Sequence, residues 1–420
     1  MDKLVIHGGQ PLEGEIPISG SKNATLPLLA ATLLAPGTYK FTNVPALRDV
    51  RTMSHLLRIL GAQVMANDHE LIVDTGHAQF NEAPYELVKT MRASFYVLGP
   101  LLARHKSARV SLPGGCAWGP RPVDLHIKSL EALGARIELD EGYVVASGEE
   151  LRGSTFEFPI SSVGASGNAL MAAVLAKGTT VLKNVAIEPE ITHLAKFLTR
   201  MGADIEGIGT TELIIRGVAE LHPVDAQMIP DRIETGTYIC AVAMSGGKVR
   251  LTSCDPRHVE APIEYARRMG VKISADQDSI TVERGLNRLQ PVEIATEPYP
   301  GFPTDLQAPF MAMASMADGE SKITDTIYRD RFTHVAELLR LGAQIRMDGN
   351  TAVISGIPYL SGAPVMSTDL RASVCLVLAG LAARGTTEVK RIYHLDRGYE
   401  RIELKLAGVG ARITREEGEL

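Results

Sequence analysis

The chain has 420 residues, of which 45% are hydrophobic, and its 43 Lys and Arg against 49 Asp and Glu give a formal net charge of −6. This length and hydrophobic content suffice for two full cores, and an acidic chain without a basic tract argues against a nucleic acid partner. The N-terminus has no hydrophobic signal-peptide region, and the apolar run 26–35 is too short to span a bilayer. We therefore expect a soluble cytoplasmic protein without a membrane partner.

The cysteines and histidines restrict the chemistry further. The four cysteines form no CxxC pair, which fits a reducing compartment, and the histidines form no cluster with metal-ligand spacing, so no metal site is expected. Cys240, Cys254 and Cys375 are interpreted as small apolar fillers. His126 and His394 are interpreted as structural because nothing near them in the sequence completes a triad.

The first predicted elements are a strand at 3–8 and a buried helix. Residues 25–35 are apolar around the whole helix, and the Gly37 that follows suits a helix C-cap because glycine adopts positive φ without a Cβ clash. A strand comes next, then an amphipathic helix that ends at Gly61, and then a hairpin across 62–76.

The same series of elements returns along the whole chain. Each amphipathic helix ends in a glycine and a strand opening, at intervals of 68 to 73 residues, and the glycines are Gly61, Gly134, Gly202, Gly270, Gly342 and Gly410. A period this regular indicates six copies of one unit, which consists of helix, strand, helix, strand and strand, with a further strand leading into the next copy. A helical solenoid is the alternative, but the alternating strands favour α/β layers.

The sixth unit stops before its second hairpin strand, and residues 3–8 match the missing strand in character. The N-terminus is therefore expected to complete the last unit. Three units per half predict one domain at 22–230 and a second at 231–420 plus 1–21. Two crossings of the chain between them predict a hinge and a ligand-binding cleft.

Residues 112–126, LPGGCAWGPRPVDLH, have the most unusual composition. Glycines and prolines surround Cys116, which predicts a mobile loop with no core for the thiol to fill. A thiol near an arginine can act as a thiolate or as a proton donor near neutral pH. We therefore interpret Cys116 as a functional residue.

Charged and amide residues gather where each unit begins. They are Lys22, Asn23, Arg92, Asp231, Arg232, Glu234, Asp305, Arg331, Asp369, Arg371 and Arg397. Helix N-termini together with cations can hold an anion, so these junctions predict a site for a multiply anionic ligand. Helix capping is the alternative and is favoured for Asp369 taken alone. Neither a P-loop nor a GxGxxG fingerprint is present, which disfavours nucleotide hydrolysis and dinucleotide redox chemistry.

Several motifs in order carry a family resemblance. They are GSKNATLP at 20–27, LPGGCxxGxRPVDLH at 112–126, SSVGA at 161–165, DRIETGT at 231–237, GFPTDLQ at 301–307, TDLRAS at 368–373 and HLDRGYERIE at 394–403. Over essentially its whole length the chain resembles the UDP-N-acetylglucosamine 1-carboxyvinyltransferase family, the enolpyruvyl transferases that begin peptidoglycan precursor synthesis. The resemblance implies a two-domain inside-out α/β barrel with three repeats per domain, which agrees with the repeat analysis.

The resemblance also implies roles for individual residues. Phosphoenolpyruvate would be held by Lys22, Asn23, Arg121 and Arg397, with Arg331 and Arg371 supporting that pocket. UDP-N-acetylglucosamine would be bound by Arg92, Arg121, Pro122, Val123, Asp124, Leu125, Ser162, Val163, Asp305 and Ile327. Cys116 would protonate the enolpyruvate methylene, could add to it covalently, and would be alkylated by the epoxide fosfomycin. Asp305 would take the proton of the sugar 3-hydroxyl, and Lys22, Asp369 and Arg397 are counted with Cys116 and Asp305 as catalytic candidates. No metal or organic cofactor is implied.

Two other functions stay open at this point. One is a sister enolpyruvyl transferase that acts on another hydroxylated acceptor. The other is a catalytically silent repeat scaffold, against which Lys22, Cys116, Asp305 and Arg397 argue. The oligomeric state is left open.

Overall fold

The computed structural model describes residues 2–113, 123–285 and 287–417. Within them the chain forms two compact units. Residues 2–19 and the described part of 230–417 make up the first unit, and the described part of 20–229 makes up the second. Each unit has its own hydrophobic core. No helix of the described ranges is long and apolar enough to cross a membrane.

The strands are short and recur at regular intervals. In chain order they are β1 Lys3–His7, β2 Leu12–Pro17, β3 Thr38–Thr42, β4 Gln63–Asn67, β5 Glu70–Asp74, β6 Glu82–Ala83, β7 Ser107–Ser111, β8 Arg136–Asp140, β9 Tyr143–Ser147, β10 Thr155–Glu157, β11 Thr179–Lys183, β12 Asp204–Glu206, β13 Glu212–Arg216, β14 Ala226–Gln227, β15 Gly247–Thr252, β16 Lys272–Ala275, β17 Ser279–Arg284, β18 Glu293–Ala295, β19 Glu320–Thr324, β20 Gln344–Asp348, β21 Thr351–Ser355, β22 Pro364–Met366, β23 Thr386–Lys390 and β24 Arg412–Glu416.

The helices alternate with these strands. The α-helices are α1 Lys22–Ala31, α2 Arg48–Ile59, α3 Tyr85–Val88, α4 Leu98–His105, α5 Asp124–Ala132, α6 Val163–Ala173, α7 Pro189–Arg200, α8 Arg232–Ser245, α9 Glu260–Arg268, α10 Gln307–Ala314, α11 Val335–Arg340, α12 Leu370–Ala382 and α13 Ile402–Gly408. The 3-10 helices are Thr32–Leu34, Arg92–Val97, Pro256–Val259, Thr304–Leu306 and Ile392–Arg397.

The strands of the described residues form six four-stranded sheets with one shared pattern. In the second unit the orders are β14-β3-β5-β4, β6-β7-β9-β8 and β10-β11-β13-β12. In the first unit they are β16-β17-β15-β2, β18-β19-β21-β20 and β22-β23-β1-β24. In each sheet one outer strand pairs in parallel with its neighbour, and the other pairs are antiparallel. For example, β10 pairs in parallel with β11, and β11 pairs antiparallel with β13. The predicted sixfold repeat is thus confirmed.

The N-terminal strand completes the sixth sheet. β1 pairs antiparallel with both β23 and β24, so that Leu4 lies opposite Val389 on one side and Arg415 on the other. β2 then pairs in parallel with β15 of the fourth sheet. The prediction that the start of the chain supplies the missing strand of the last repeat is therefore confirmed.

Three helices in each unit are buried on almost all sides. Within α8, every residue from Ile233 to Met244 is buried, and α8, α10 and α12 pack against one another. In the second unit α6 packs against α4. The outer helices are one-sided: α2 buries Val50, Met53 and Leu57 and exposes its polar face. Apolar helices inside and sheets outside give each unit the inside-out arrangement that the resemblance implied.

The six repeat glycines all have positive φ, between 90° and 109°. Gly61 follows the cap residue of α2; its N–H donates to Arg58 O, and the next N–H donates to Leu57 O, which satisfies carbonyls at the helix end. The caps predicted after the apolar helices are mostly wrong. Gly246 does cap α8, but α1 ends at Thr32 and Gly37 comes only after a 3-10 turn, because the last helical turn tightens before the chain reverses.

A buried ion pair fixes the chain near the end of the N-terminal segment. Lys405 Nζ donates to Glu234 Oε1 and to Ser19 Oγ, both at 2.7 Å, and the backbone N–H of Ser19 donates to Glu234 Oε2 at 2.7 Å. The Glu234 side chain is only 3% exposed. Burial raises the pKa of Glu234, and the charge of Lys405 opposes this shift.

We predict that Lys405→Met will destabilise the first unit by about 3–5 kcal/mol, because it leaves the buried Glu234 carboxylate without its cation. Thermal unfolding monitored by circular dichroism measures the effect. Lys248→Met is the matched control, because it breaks an ion pair with Glu283 in which both side chains are largely exposed. Equal melting temperatures for the two variants would contradict the prediction.

Candidate active site

The polar residues of the repeat junctions lie where the buried helices begin. Lys22 is the first residue of α1, and Val163 is the first of α6. Arg92 opens the 3-10 helix that leads into α4, Asp305 lies in the 3-10 helix before α10, and Arg371 is in the first turn of α12. Backbone N–H groups at such ends favour anions.

In the second unit, His126 in the first turn of α5 contacts α6 and the 3-10 helix that leads into α4. Its Nδ1 lies 2.8 Å from the amide Nδ2 of Asn168, and its ring stacks edge-on against Phe95. Because an amide nitrogen only donates, Nδ1 accepts, and the proton of the neutral ring is on Nε2. Burial and the charge of Arg92 lower the pKa of His126 to about 3. The structural interpretation of His126 is confirmed.

Asn168 is the partner that the sequence analysis missed. Its Oδ1 accepts from Gly99 N at 2.8 Å, and its Nδ2 also donates to Phe95 O at 3.0 Å, so this one amide ties α6 to α4 and to the 3-10 helix before it. The backbone of Gly164 lies so close to the His126 ring that a Cβ there would be 3.0 Å from Nε2. No sequence pattern marks these contacts, because Asn168 stands within an apolar run.

The predicted UDP-sugar residues of this unit surround the same point. Asp124 and Leu125 are the first two residues of α5, which carries His126, and Val123 precedes them. Ser162 caps α6, where its Oγ accepts from Ala165 N at 3.4 Å, and Val163 follows it. The structure thus brings these five residues to the helix starts around His126.

Lys22 has a partner that the sequence did not indicate. Its Nζ lies 3.4 Å from Oδ2 of Asp49, a buried residue in the first turn of α2. The Lys22 side chain is itself largely buried, and Asn23 follows it at the start of α1. Asp49 therefore orients the ammonium group at this helix start.

In the first unit, Asp305 lies between two guanidinium groups. Its Oδ1 is 2.8 Å from Nη2 of Arg331, and its Oδ2 is 2.7 Å from Nη2 of Arg371. Both arginines are buried. Burial, the largest single effect, would lower the pKa of Arg371, but the charge and hydrogen bond of Asp305, together with Tyr399 and Asp231, raise that pKa overall. Three residues that were singled out separately are thus brought together as one cluster.

Tyr399 holds Arg371 from the other side. Nη1 of Arg371 donates to Tyr399 Oη at 3.1 Å, and Oη is 2.9 Å from Thr237 Oγ1. Burial raises the pKa of Tyr399 to about 12, so the hydroxyl keeps its proton. The sequence analysis missed both hydroxyl residues, although they stand in the quoted motifs HLDRGYERIE and DRIETGT.

Asp369 is a helix cap, as its position predicts. Its Oδ1 accepts from the backbone N–H groups of Arg371 and Ala372 at 2.8 and 3.1 Å, and its Oδ2 accepts from Thr333 Oγ1 at 3.0 Å. Burial would raise the pKa of Asp369, but these donors and the charge of Arg331 lower it. The catalytic assignment of Asp369 stays a prediction.

Arg397 and Ile327 lie in two other segments of the first unit, before α13 and after β19. Arg397 ends the 3-10 helix Ile392–Arg397, and the next residue, Gly398, packs so closely on Leu370 that a Cβ would be 2.6 Å from Leu370 Cδ2. Arg397 therefore adjoins the start of α12, where Arg371 also lies. Ile327 is 38% exposed in the turn after β19.

Cys116, Arg121 and Pro122 lie outside the described residues. Within the described ranges, no group of three His, Cys, Asp or Glu side chains could hold a metal ion. Cys240, Cys254 and Cys375 are free and buried, and burial raises the pKa of the Cys254 thiol to about 11. Their interpretation as apolar fillers is confirmed.

Comparison with known proteins defines the class first. A family model described as EPSP synthase (3-phosphoshikimate 1-carboxyvinyltransferase) matches residues 6–406. The crystal structure of the enolpyruvyl transferase NikO from Streptomyces tendae matches with a TM-score of 0.89 and 28% identity, covering 99% of this chain and 98% of that one. An EPSP synthase from Acinetobacter baumannii, at 18% identity, shares the fold with a TM-score of 0.76 over 99% and 100% of the two chains. The fold is therefore that of the enolpyruvyl transferases.

Two relatives narrow the assignment. The UDP-N-acetylglucosamine 1-carboxyvinyltransferase of Chlorobium luteolum is 54% identical over 420 residues, covering 99% of each chain. The enzyme of the same name from Trichlorobacter lovleyi is 53% identical over 416 residues, again covering 99% of each. The chain belongs to the UDP-N-acetylglucosamine 1-carboxyvinyltransferase family, and the sequence-based resemblance is confirmed.

We predict that stability falls with acidification because of His126. The unfolded chain takes up a proton there near the ordinary pKa of about 6.5, whereas the folded protein does so only near 3. Stability is thus fully present above about 6.5 and is lost as the pH falls from there towards 3, by about 1.4 kcal/mol per pH unit for this proton. Denaturant unfolding at pH 7, 6 and 5 should show a steeper loss for the wild type than for His126→Gln. Equal slopes would contradict the prediction.

Proposed function

We propose that the protein transfers the enolpyruvyl group of phosphoenolpyruvate to the 3-hydroxyl of UDP-N-acetylglucosamine and releases phosphate, the first committed step of peptidoglycan precursor synthesis. The observation that carries the proposal is the full-length identity of 53–54% to enzymes of that name. The geometry of the first unit supports it, because Asp305 is held at the start of a helix by two buried cations.

Asp305 is the base in this proposal. A base must be ionised before it accepts a proton, and a guanidinium partner on each oxygen favours the charged carboxylate. As Asp305 takes the proton of the sugar 3-hydroxyl, the hydroxyl oxygen bonds to C2 of phosphoenolpyruvate. Cys116 gives a proton to the methylene carbon, which becomes a methyl group. Loss of a proton from that methyl group and departure of phosphate from C2 restore the double bond.

The cations hold the phosphoenolpyruvate anion. Lys22, Asn23, Arg121 and Arg397 are its ligands in this proposal, and Arg331 and Arg371 support the pocket. Guanidinium groups form paired hydrogen bonds to carboxylate and phosphate, and they stabilise charge that develops on the leaving phosphate. No cofactor is needed for this chemistry, since the protein groups supply both the acid and the base.

The helix starts around His126 suit the UDP-sugar. Backbone N–H groups at the beginning of α5 and α6 favour a diphosphate, and the charge of Arg92 acts on His126. The proposed ligands are Arg92, Arg121, Pro122, Val123, Asp124, Leu125, Ser162 and Val163, together with Asp305 and Ile327. We propose residues 22–230 and residues 231–420 plus 1–21 as the two domains of the enzyme, and the free cysteines favour a cytoplasmic location.

The substrate assignment is tested by phosphate release. We expect the purified protein to release phosphate from phosphoenolpyruvate with UDP-N-acetylglucosamine, and not with shikimate 3-phosphate. Mass spectrometry should find the enolpyruvyl group on the sugar. Turnover with shikimate 3-phosphate alone would favour the sister activity, and no turnover with either acceptor would favour a silent scaffold.

We predict that Cys116→Ser abolishes turnover while UDP-sugar binding survives, because a serine hydroxyl does not supply a proton near neutral pH. Cys116→Asp keeps an ionisable acid with a pKa of about 4, so it should stay active with its optimum at lower pH. Full pH–rate profiles of the three proteins measure this. Cys254→Ser, which alters a buried thiol in another repeat, is the control and should behave as the wild type. A fully active Cys116→Ser variant would refute the proton-donor role.

A further inference from the structure

Asp325 is a buried carboxylate that no substrate role accounts for. It follows β19, its side chain is fully buried, and it accepts four hydrogen bonds. Three donors meet Oδ1: Thr296 Oγ1 at 2.9 Å, Ile327 N at 3.0 Å and Tyr328 N at 2.8 Å. The fourth, Thr304 Oγ1, meets Oδ2 at 2.7 Å. A carboxylate with this many donors is held in one orientation.

Thr304 connects this carboxylate to the candidate active site. Its Oγ1 accepts from Nη1 of Arg331 at 3.1 Å, and Nη2 of the same guanidinium meets Asp305 at 2.8 Å. Because arginine only donates, the Thr304 oxygen must accept from it, and the single hydroxyl proton is left for Asp325. The order Arg331 to Thr304 to Asp325 is therefore the one arrangement in which both contacts are hydrogen bonds.

We propose that Asp325 is a positioning residue for the reaction, acting through the Thr304 hydroxyl to fix the Arg331 guanidinium against Asp305. The proposal rests on the proposed function, since it takes Asp305 to be the reacting carboxylate. Asp325 orients the Thr304 hydroxyl by accepting its proton, and the hydroxyl oxygen accepts from Nη1 of Arg331. Nη2 of the same guanidinium is thereby held against Oδ1 of Asp305. Arg371 has its own support in Tyr399, so each guanidinium on Asp305 is anchored from behind by a hydroxyl group.

Thr304→Val tests the link, because valine keeps the branched shape and removes the hydroxyl. We expect kcat/KM to fall about tenfold or more, since a reacting group that is misplaced slightly loses rate steeply. The acid limb of the kcat/KM profile should also move to higher pH, because a carboxylate that loses a guanidinium partner takes up a proton more readily. Thr304→Ser keeps the hydroxyl and should restore both values.

The matched control is Thr296→Val. Thr296 donates to the same carboxylate, and its Oγ1 also accepts from Thr326 N at 3.0 Å. Loss of the Thr296 hydroxyl therefore removes as many hydrogen bonds around Asp325 as loss of the Thr304 hydroxyl does. The Thr296 hydroxyl bonds to Asp325 and to the backbone of Thr326, and we expect the Thr296→Val variant to keep the position of the acid limb. An equal shift of the limb in both valine variants would show that Asp325 is merely structural, and would overturn the proposal.

Asp325→Asn is a second, independent variant. Because three donors fix the side of Oδ1, the amide Nδ2 would face Thr304 and donate to it, and the hydroxyl proton would turn towards Arg331, which cannot accept it. This variant should therefore repeat the shift of the acid limb seen in Thr304→Val. A wild-type profile in Asp325→Asn would count against the proposal even if Thr304→Val does not fold.

Crystal structures separate this proposal from the proposed function. The contact between Arg331 Nη2 and Asp305 Oδ1 should persist in the wild type and in Thr296→Val, and it should be lost in Thr304→Val. If the contact is unchanged in Thr304→Val, the positioning role fails, whichever substrates the wild type uses. If the contact is lost but the wild type releases no phosphate with UDP-N-acetylglucosamine, the proposed function fails and the link stands.

Discussion

Each repeat buries one helix on almost every side, and the burial of these helix ends places the functional residues. The first N–H groups of a helix have no partner within the helix, and a buried end cannot leave them to water. Side chains of Ser21, Ser162, Asp231 and Asp369 accept from these groups in four repeats. Polar residues are therefore required at one fixed place in the repeat, next to where the candidate ligands stand.

The other two repeats reach their buried helices differently. A 3-10 helix precedes α4 and another precedes α10, and among the described residues neither has a side-chain cap. These two 3-10 helices carry Arg92 and Asp305, which are the candidate residues for the sugar nucleotide and for the base.

Buried charges impose a second constraint. A charge removed from water must be paired, because its desolvation costs several kcal/mol. Glu234 is paired with Lys405, Lys22 with Asp49, and Asp305 with two guanidinium groups. Pairing fixes both members in place, so the same contacts that make burial tolerable also hold the candidate site residues in one orientation.

The sequence by itself determined the repeat, the buried helices, the completing strand at residues 3–8 and the residues of the candidate site. These follow from local rules, because apolar periodicity and the positive φ of a glycine such as Gly61 depend on residues close in the chain. The cap prediction holds for Gly246 after α8 but fails after α1, where the last turn tightens before Gly37 is reached. Only the tertiary structure decided that Asp305 meets Arg331, from a later turn of the same repeat, and Arg371, from the next repeat. It also decided that Asn168 donates to His126 across two neighbouring repeats and that Thr304 joins Asp325 to Arg331 within one repeat. These partners are far apart in the sequence and meet only when helices and turns pack together.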